Sequence, residues 1–190
     1  MPETSVSLLE RLRAGPDPAA WERLIAVYTP WITNWLGRQG LTGADAEDVV
    51  QEVMAVLVRE LPGFVHDGRT GAFRRWLKNV TLNRLRTFWR SRPRHITNLG
   101  TDSLECVIQQ LEDHHSEVSL SWEREHNQCV LDRLRLLLAD EFEPRTWQAF
   151  HMVAIEGLPT AALGMTQVAV RIAKSRVMSR IRQEIAGLID

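Results

Sequence analysis

The sequence predicts an all-α protein of two small helical domains joined by an acidic linker. Three observations carry that expectation. Apolar residues recur at three- and four-residue steps in nearly every periodic segment, and no stretch alternates with the period of two that a half-buried strand needs. The helical segments are interrupted at turn-forming sites, among them Gly15-Pro-Asp-Pro18, Pro62-Gly63 and Arg92-Pro-Arg94. Charge comes in blocks. Arg69 to Arg94 holds nine basic residues and no carboxylate, Asp102 to Glu125 holds seven carboxylates and one arginine, and Gly157 to Gln183 holds five basic residues unopposed. The formal net charge of the 190 residues is only −1, so the distribution, not the total, points to a polyanionic partner.

Each element follows from its own pattern. Residues 5–13 and 18–37 are the first two helices. The third starts after Leu41-Thr42-Gly43, with Thr42 placed to cap it and Asp45 set favourably in its first turn. Ala46, Val49, Val50, Val53 and Leu57 make its apolar face, while Asp45, Asp48, Glu52 and Arg59 line the other side. A loop over 66–71 leads into a helix over 72–91, closed by Pro93 because a residue before proline disfavours the helical region. Residues 93–119 are polar, acidic and weakly periodic, a linker with at most a short helix. Helices follow over 120–139 and 144–156, then a short element at 160–163 and a last helix from 167 to about 187. The domains are therefore 1–92 and 120–190.

Hydrophobic content of 44% is enough for a core. The N-terminus has no basic segment followed by an apolar run, and no apolar stretch approaches the roughly 20 residues of a membrane span. Cys106 and Cys129 form no C-x-x-C pair and read as free thiols in a reducing compartment. A soluble cytoplasmic protein without membrane association is expected.

Chemistry concentrates on three faces. Asp45, Asp48, Gln51 and Glu52 offer an acidic surface suited to a protein partner. On helix 72–91, Phe73, Leu77, Val80 and Phe88 share a core arc. Trp76, Asn79, Asn83, Arg86 and Arg90 form a separate stripe, with Arg75 beside it. Guanidinium groups neutralise phosphates, amides pair with base edges, and an indole can stack on an unpaired base. On the last helix Val170, Ala173, Val177, Ile181, Ile185 and Leu188 face inward, opposite Gln167, Arg171, Lys174, Ser175, Met178 and Arg182. Leu163-Gly-Met-Thr166 resembles the turn before a recognition helix, with Thr166 as cap. Gln167 and Arg171 would reach base edges in a major groove, and Lys174, Arg176 and Arg180 would favour phosphates.

At these residues the sequence resembles the extracytoplasmic-function (ECF) sigma factors, which direct bacterial RNA polymerase to promoters. The blocks that carry the resemblance are Asp45-Ala-Glu-Asp-Val-Val-Gln-Glu-Val53, the run from Gly71 to Arg90, and Val170-Arg-Ile-Ala-Lys-Ser-Arg-Val177. It implies a region 2-like domain followed by a region 4-like helix-turn-helix. Helix 45–60 would dock on the clamp helices of the polymerase's largest subunit through Asp45, Asp48, Gln51 and Glu52. Loop 66–71 and helix 72–91 would recognise and melt the minus-ten element, with Arg75, Trp76, Asn79, Asn83, Arg86 and Arg90 on the DNA. Helix 167–183 would read the minus-thirty-five element through Gln167, Arg171, Lys174, Ser175, Arg176 and Arg180. The acidic linker would thread the polymerase's nucleic-acid channel. Core RNA polymerase and promoter DNA are the implied partners, with an anti-sigma factor as a further candidate.

Two departures stand out. Thr87 replaces an aspartate frequent in the family. The stretch Glu156 to Thr166 is about four residues short, roughly one helical turn, which would weaken the brace behind the recognition helix. A stand-alone helix-turn-helix regulator is the competing expectation, although it leaves the acidic helix and the Trp76 stripe without a role. An enzyme or metal protein fits less well. There is no Gly-rich phosphate loop or nucleophile–base signature, and His114, His115, His126 and Cys129 match no common zinc spacing. No catalytic residue, cofactor or metal is expected.

Overall fold

The computed structural model describes residues 7–65, 71–91, 101–159 and 164–189, the side chains of 101–104 excepted. The described residues form α1 (Leu8–Ala14), α2 (Pro18–Arg38), α3 (Ala44–Glu60), α4 (Ala72–Ser91), α5 (Thr101–Glu112), α6 (Glu117–Leu137), α7 (Pro144–Phe150) and α8 (Gln167–Ile185). Strands are absent among them. The expected loop at 66–70 and the short element at 160–163 lie outside the described residues.

Local chemistry sets the helix starts. Ser7 and Glu10 form a reciprocal capping box on α1, and Asp17 accepts from the Ala20 amide at 2.9 Å at the start of α2. Thr42 does not cap α3. The cap is Gly43, whose positive φ of 63° is left-handed backbone and which makes no side-chain hydrogen bond. Asp45 and Glu47 in the first turn instead complement the helix dipole. The expected helix over 144–156 is α7 continued by a π-helical turn, His151–Ile155.

One buried cluster runs from Leu8 on α1 to Leu188 beyond α8, so the two ends of the chain share a core. Its α3 and α4 members include the residues the periodicity selects, among them Val49, Val53, Leu57, Phe73 and Leu77, with Val56, Leu82 and Leu85 besides. A satellite of Leu138, Phe150, Val177 and Ile181 joins α7 to α8, and Met178 packs on it instead of facing outward. The acidic segment is more structured than its weak periodicity suggests. Within it α5 is a 12-residue helix, and Val107, Ile108 and Leu111 make a narrow stripe buried between α4 and α6.

The centre of the fold is an aromatic seam between α2 and α6. Tyr28, Trp31 and Trp35 recur at helical spacing on α2, and Trp122 and His126 do so on α6. Trp122 lies 4.6 Å from Trp31 and 4.7 Å from Trp35 between ring centroids. Tyr28 reaches Phe73 on α4 at 5.8 Å. All six side chains are buried. Edge and tilted geometries of this kind add about 0.5–1.5 kcal/mol per pair to the burial itself.

A polar chain runs through the seam. The Tyr28 hydroxyl and His126 Nε2 are 3.1 Å apart, and His126 Nδ1 lies 3.2 Å from Asn127 Oδ1. Asn127 Oδ1 also accepts from Arg74 of α4 at 2.8 Å. With that oxygen as acceptor, the imidazole proton sits on Nδ1 and Tyr28 donates to Nε2. Burial pushes the His126 pKa down to about 4, with the nearby Arg74 cation acting in the same direction and the Asn127 bond opposing. The unfolded chain therefore binds a proton near pH 6.5 that the folded chain refuses until about pH 4. Folding stability should fall by about 3 kcal/mol from this group as pH drops across that window. Urea unfolding against pH checks it: the drop should be smaller by that amount in His126→Gln. Parallel curves for the two proteins would contradict it.

Candidate nucleic-acid interface

The acidic face is built by α3. Its buried side rests on α2 and α4. Asp48, Gln51 and Glu52 are exposed on the other side and Asp45 is half-buried at its start. Spacings of three and four residues keep these side chains on one surface.

The basic helix α4 divides its cations between two jobs. Lys78, deep in the fold, donates to Ser119 Oγ of α6 at 2.8 Å and lies 3.3 Å from His114 Nδ1. Burial lowers its pKa. Arg74 holds Asn127 and lies 3.5 Å from the Glu123 carboxylate, again on α6. Nine basic residues in the sequence thus overstate the cationic surface, because spacing alone does not reveal which lysine a neighbouring helix will cover.

The predicted stripe is on one side of α4 but is uneven. Arg75, Asn79, Asn83 and Arg90 are exposed. Trp76 is half-buried against Phe64 and Phe73, with ring centroids 5.1 and 5.7 Å away. Arg86 donates to Asn83 Oδ1 at 3.2 Å and pairs with Glu112 at the end of α5. Thr87 donates to the Asn83 carbonyl oxygen at 3.0 Å. Between α4 and α5 lies a cleft of about 440 Å³, with Asn79, Asn83 and Arg86 on one wall and Leu111, Glu112 and His114 on the other. The second wall was not legible in the sequence; Val107, Ile108 and Leu111 at three- and four-residue steps were its faint signal.

On α8 Thr166 caps the helix as expected, accepting from the Ala169 amide at 3.2 Å. Gln167, Arg171, Lys174, Ser175 and Arg176 are exposed, and so are Val168 and Ile172, two apolar residues that charge-based reasoning passed over. Arg180 is placed differently. It donates to Glu141 at 2.9 Å and to Glu184 at 2.6 Å, which leaves it tied into the fold instead of presented to phosphate. Glu184 is fully buried and also accepts from Arg23 of α2 at 2.6 Å, with Arg11 of α1 at 3.5 Å.

Among the described residues His114, His115, His126 and Cys129 form no common site. His126 is inside the seam, His114 is on Lys78, and His115 is exposed. Among the described residues no group of three or more His, Cys, Asp or Glu side chains could hold a metal, and no helix is long and apolar enough to cross a membrane.

Residues 24–95 match the family model Sigma-70 region 2, a span that begins in α2 and takes in α3 and α4. No curated protein and no solved structure matches the chain. The family match supports a sigma-70-type role in transcription initiation, through core RNA polymerase and promoter DNA.

The Glu184 cluster has a measurable consequence. Removing a fully buried carboxylate leaves three guanidinium groups facing one another, so Glu184→Ala should cost about 2–3 kcal/mol. Urea denaturation reads this directly. A loss below about 0.5 kcal/mol would mean the cluster behaves like solvated surface pairs.

Proposed function

We propose that the chain is a promoter-specificity subunit of the ECF type, acting by binding and without catalysis of its own. The observation that carries this reading is the coincidence of the region 2 match with an acidic α3 followed directly by a basic, amide- and indole-bearing α4. In this reading Asp45, Asp48, Gln51 and Glu52 engage core polymerase. Arg75, Trp76, Asn79, Asn83, Arg86 and Arg90 handle the minus-ten strand.

The helices from α6 onward act as a region 4-like unit, and Gln167, Arg171, Lys174, Ser175 and Arg176 of α8 read minus-thirty-five duplex. Arg180 contributes there only if its ion pairs with Glu141 and Glu184 open. The division into 1–92 and 120–190 is a division of labour, compatible with the shared core of this conformation. An anti-sigma factor covering α3 or α4 is a natural regulator for such a subunit, which works in the cytoplasm.

Two substitutions separate the roles. Asp48→Arg should weaken co-purification with core polymerase while leaving the fold intact, because the residue is exposed. Trp76→Ala should leave core association in place but reduce promoter opening roughly tenfold to a hundredfold, the worth of one lost stacking contact. Because Trp76 also packs on Phe64 and Phe73, thermal unfolding must accompany the opening assay. Failure of both variants at the same step would contradict the division. Tight sequence-specific binding to duplex DNA without polymerase would favour a stand-alone regulator instead.

A further inference from the structure

We infer that α5 masks Arg86 on the single-strand-binding side of α4, where Glu112 occupies the place a DNA phosphate takes. This rests on the reading of α4 as the minus-ten interface and adds a competitor to it. The Glu112 carboxylate pairs with the Arg86 guanidinium across the mouth of the α4–α5 cleft, beside the exposed amides of Asn79 and Asn83. Carboxylate and phosphate oxygens use the same guanidinium donors, so one excludes the other.

Neighbouring contacts repeat the pattern. Glu123 and Asn127 of α6 hold Arg74, and His114 and Ser119 sit on Lys78, so the α5–α6 arm meets α4 along several turns. Leu111 is fully buried and Val107 and Ile108 nearly so, which seats the arm, whereas the Arg86–Glu112 pair is a third to nearly half exposed and can exchange with solvent ions. Apolar contacts thus hold the arm, and the ion pair tunes which anion Arg86 meets. The structure is the closed state of this pair: DNA must first displace Glu112, and any partner that draws α5 away from α4 frees Arg86.

A mutant cycle on the full chain tests this, with anisotropy of a fluorescein-labelled, adenine–thymine-rich single strand as the readout. Glu112→Gln keeps the side-chain size and should tighten binding by about two- to fivefold, the scale of a partly exposed ion pair. The gain should vanish in an Arg86→Gln background, whereas a general loss of negative charge would act in both backgrounds. An equal gain in both backgrounds overturns the masking, as does no gain when Arg86→Gln itself weakens binding; the α4 reading survives either result. If Arg86→Gln leaves affinity unchanged in every background, the masking and the assignment of Arg86 to DNA both fall.

Discussion

The aromatic seam between α2 and α6 is the constraint on which the rest of the structure depends. A buried aromatic removes about 150–250 Å² from water, which at roughly 25 cal/mol per Å² is about 4–6 kcal/mol of transfer free energy per ring. Each partly exposed arginine–carboxylate pair contributes at most about 1 kcal/mol. The comparison decides the hierarchy. Trp31, Trp35 and Trp122 fix where α6 lies, and the ion pairs on α4 only choose among arrangements the seam already permits. Because α6 carries Glu123, Asn127 and Ser119, fixing the seam also fixes which cations of α4 are engaged.

The same side-chain chemistry is used in two directions. On α3 the carboxylates of Glu47, Asp48 and Glu52 point away from the core and are exposed. On the α5–α6 arm Glu112 and Glu123 turn onto arginines of α4. For the proposed promoter-specificity subunit this sets an order of events. The face for polymerase is presented from the start, while the face for nucleic acid is partly neutralised by the chain itself. Weak ion pairs suit that purpose, since a strongly held anion would not yield to a phosphate.

Much of this was legible in the sequence, and the reasons for the rest are physical. The apolar faces of α3, α4 and α8 follow from helical periodicity, as the buried Val53, Leu77 and Val177 illustrate. α5 escaped because its buried stripe is just Val107, Ile108 and Leu111 among acids, too narrow to register as periodicity. The ion pairs of Arg180 were not legible because its partner Glu141 becomes a neighbour only through tertiary packing. Thr42 failed as a cap because the left-handed Gly43 takes up the turn first. Lys78 shows the limit of charge counting: an amine in a basic run can be a core hydrogen-bond donor.

Amide hydrogen exchange along α3 and α5 tests the central claim most directly, comparing the chain alone, with core polymerase, and with core polymerase and promoter DNA. Closed packing predicts slow exchange at 107–111 in the free chain, added protection on α3 with polymerase, and faster exchange at the Glu112 end of α5 once promoter DNA is engaged. Exchange at that end of α5 left unchanged with promoter DNA engaged would contradict the account.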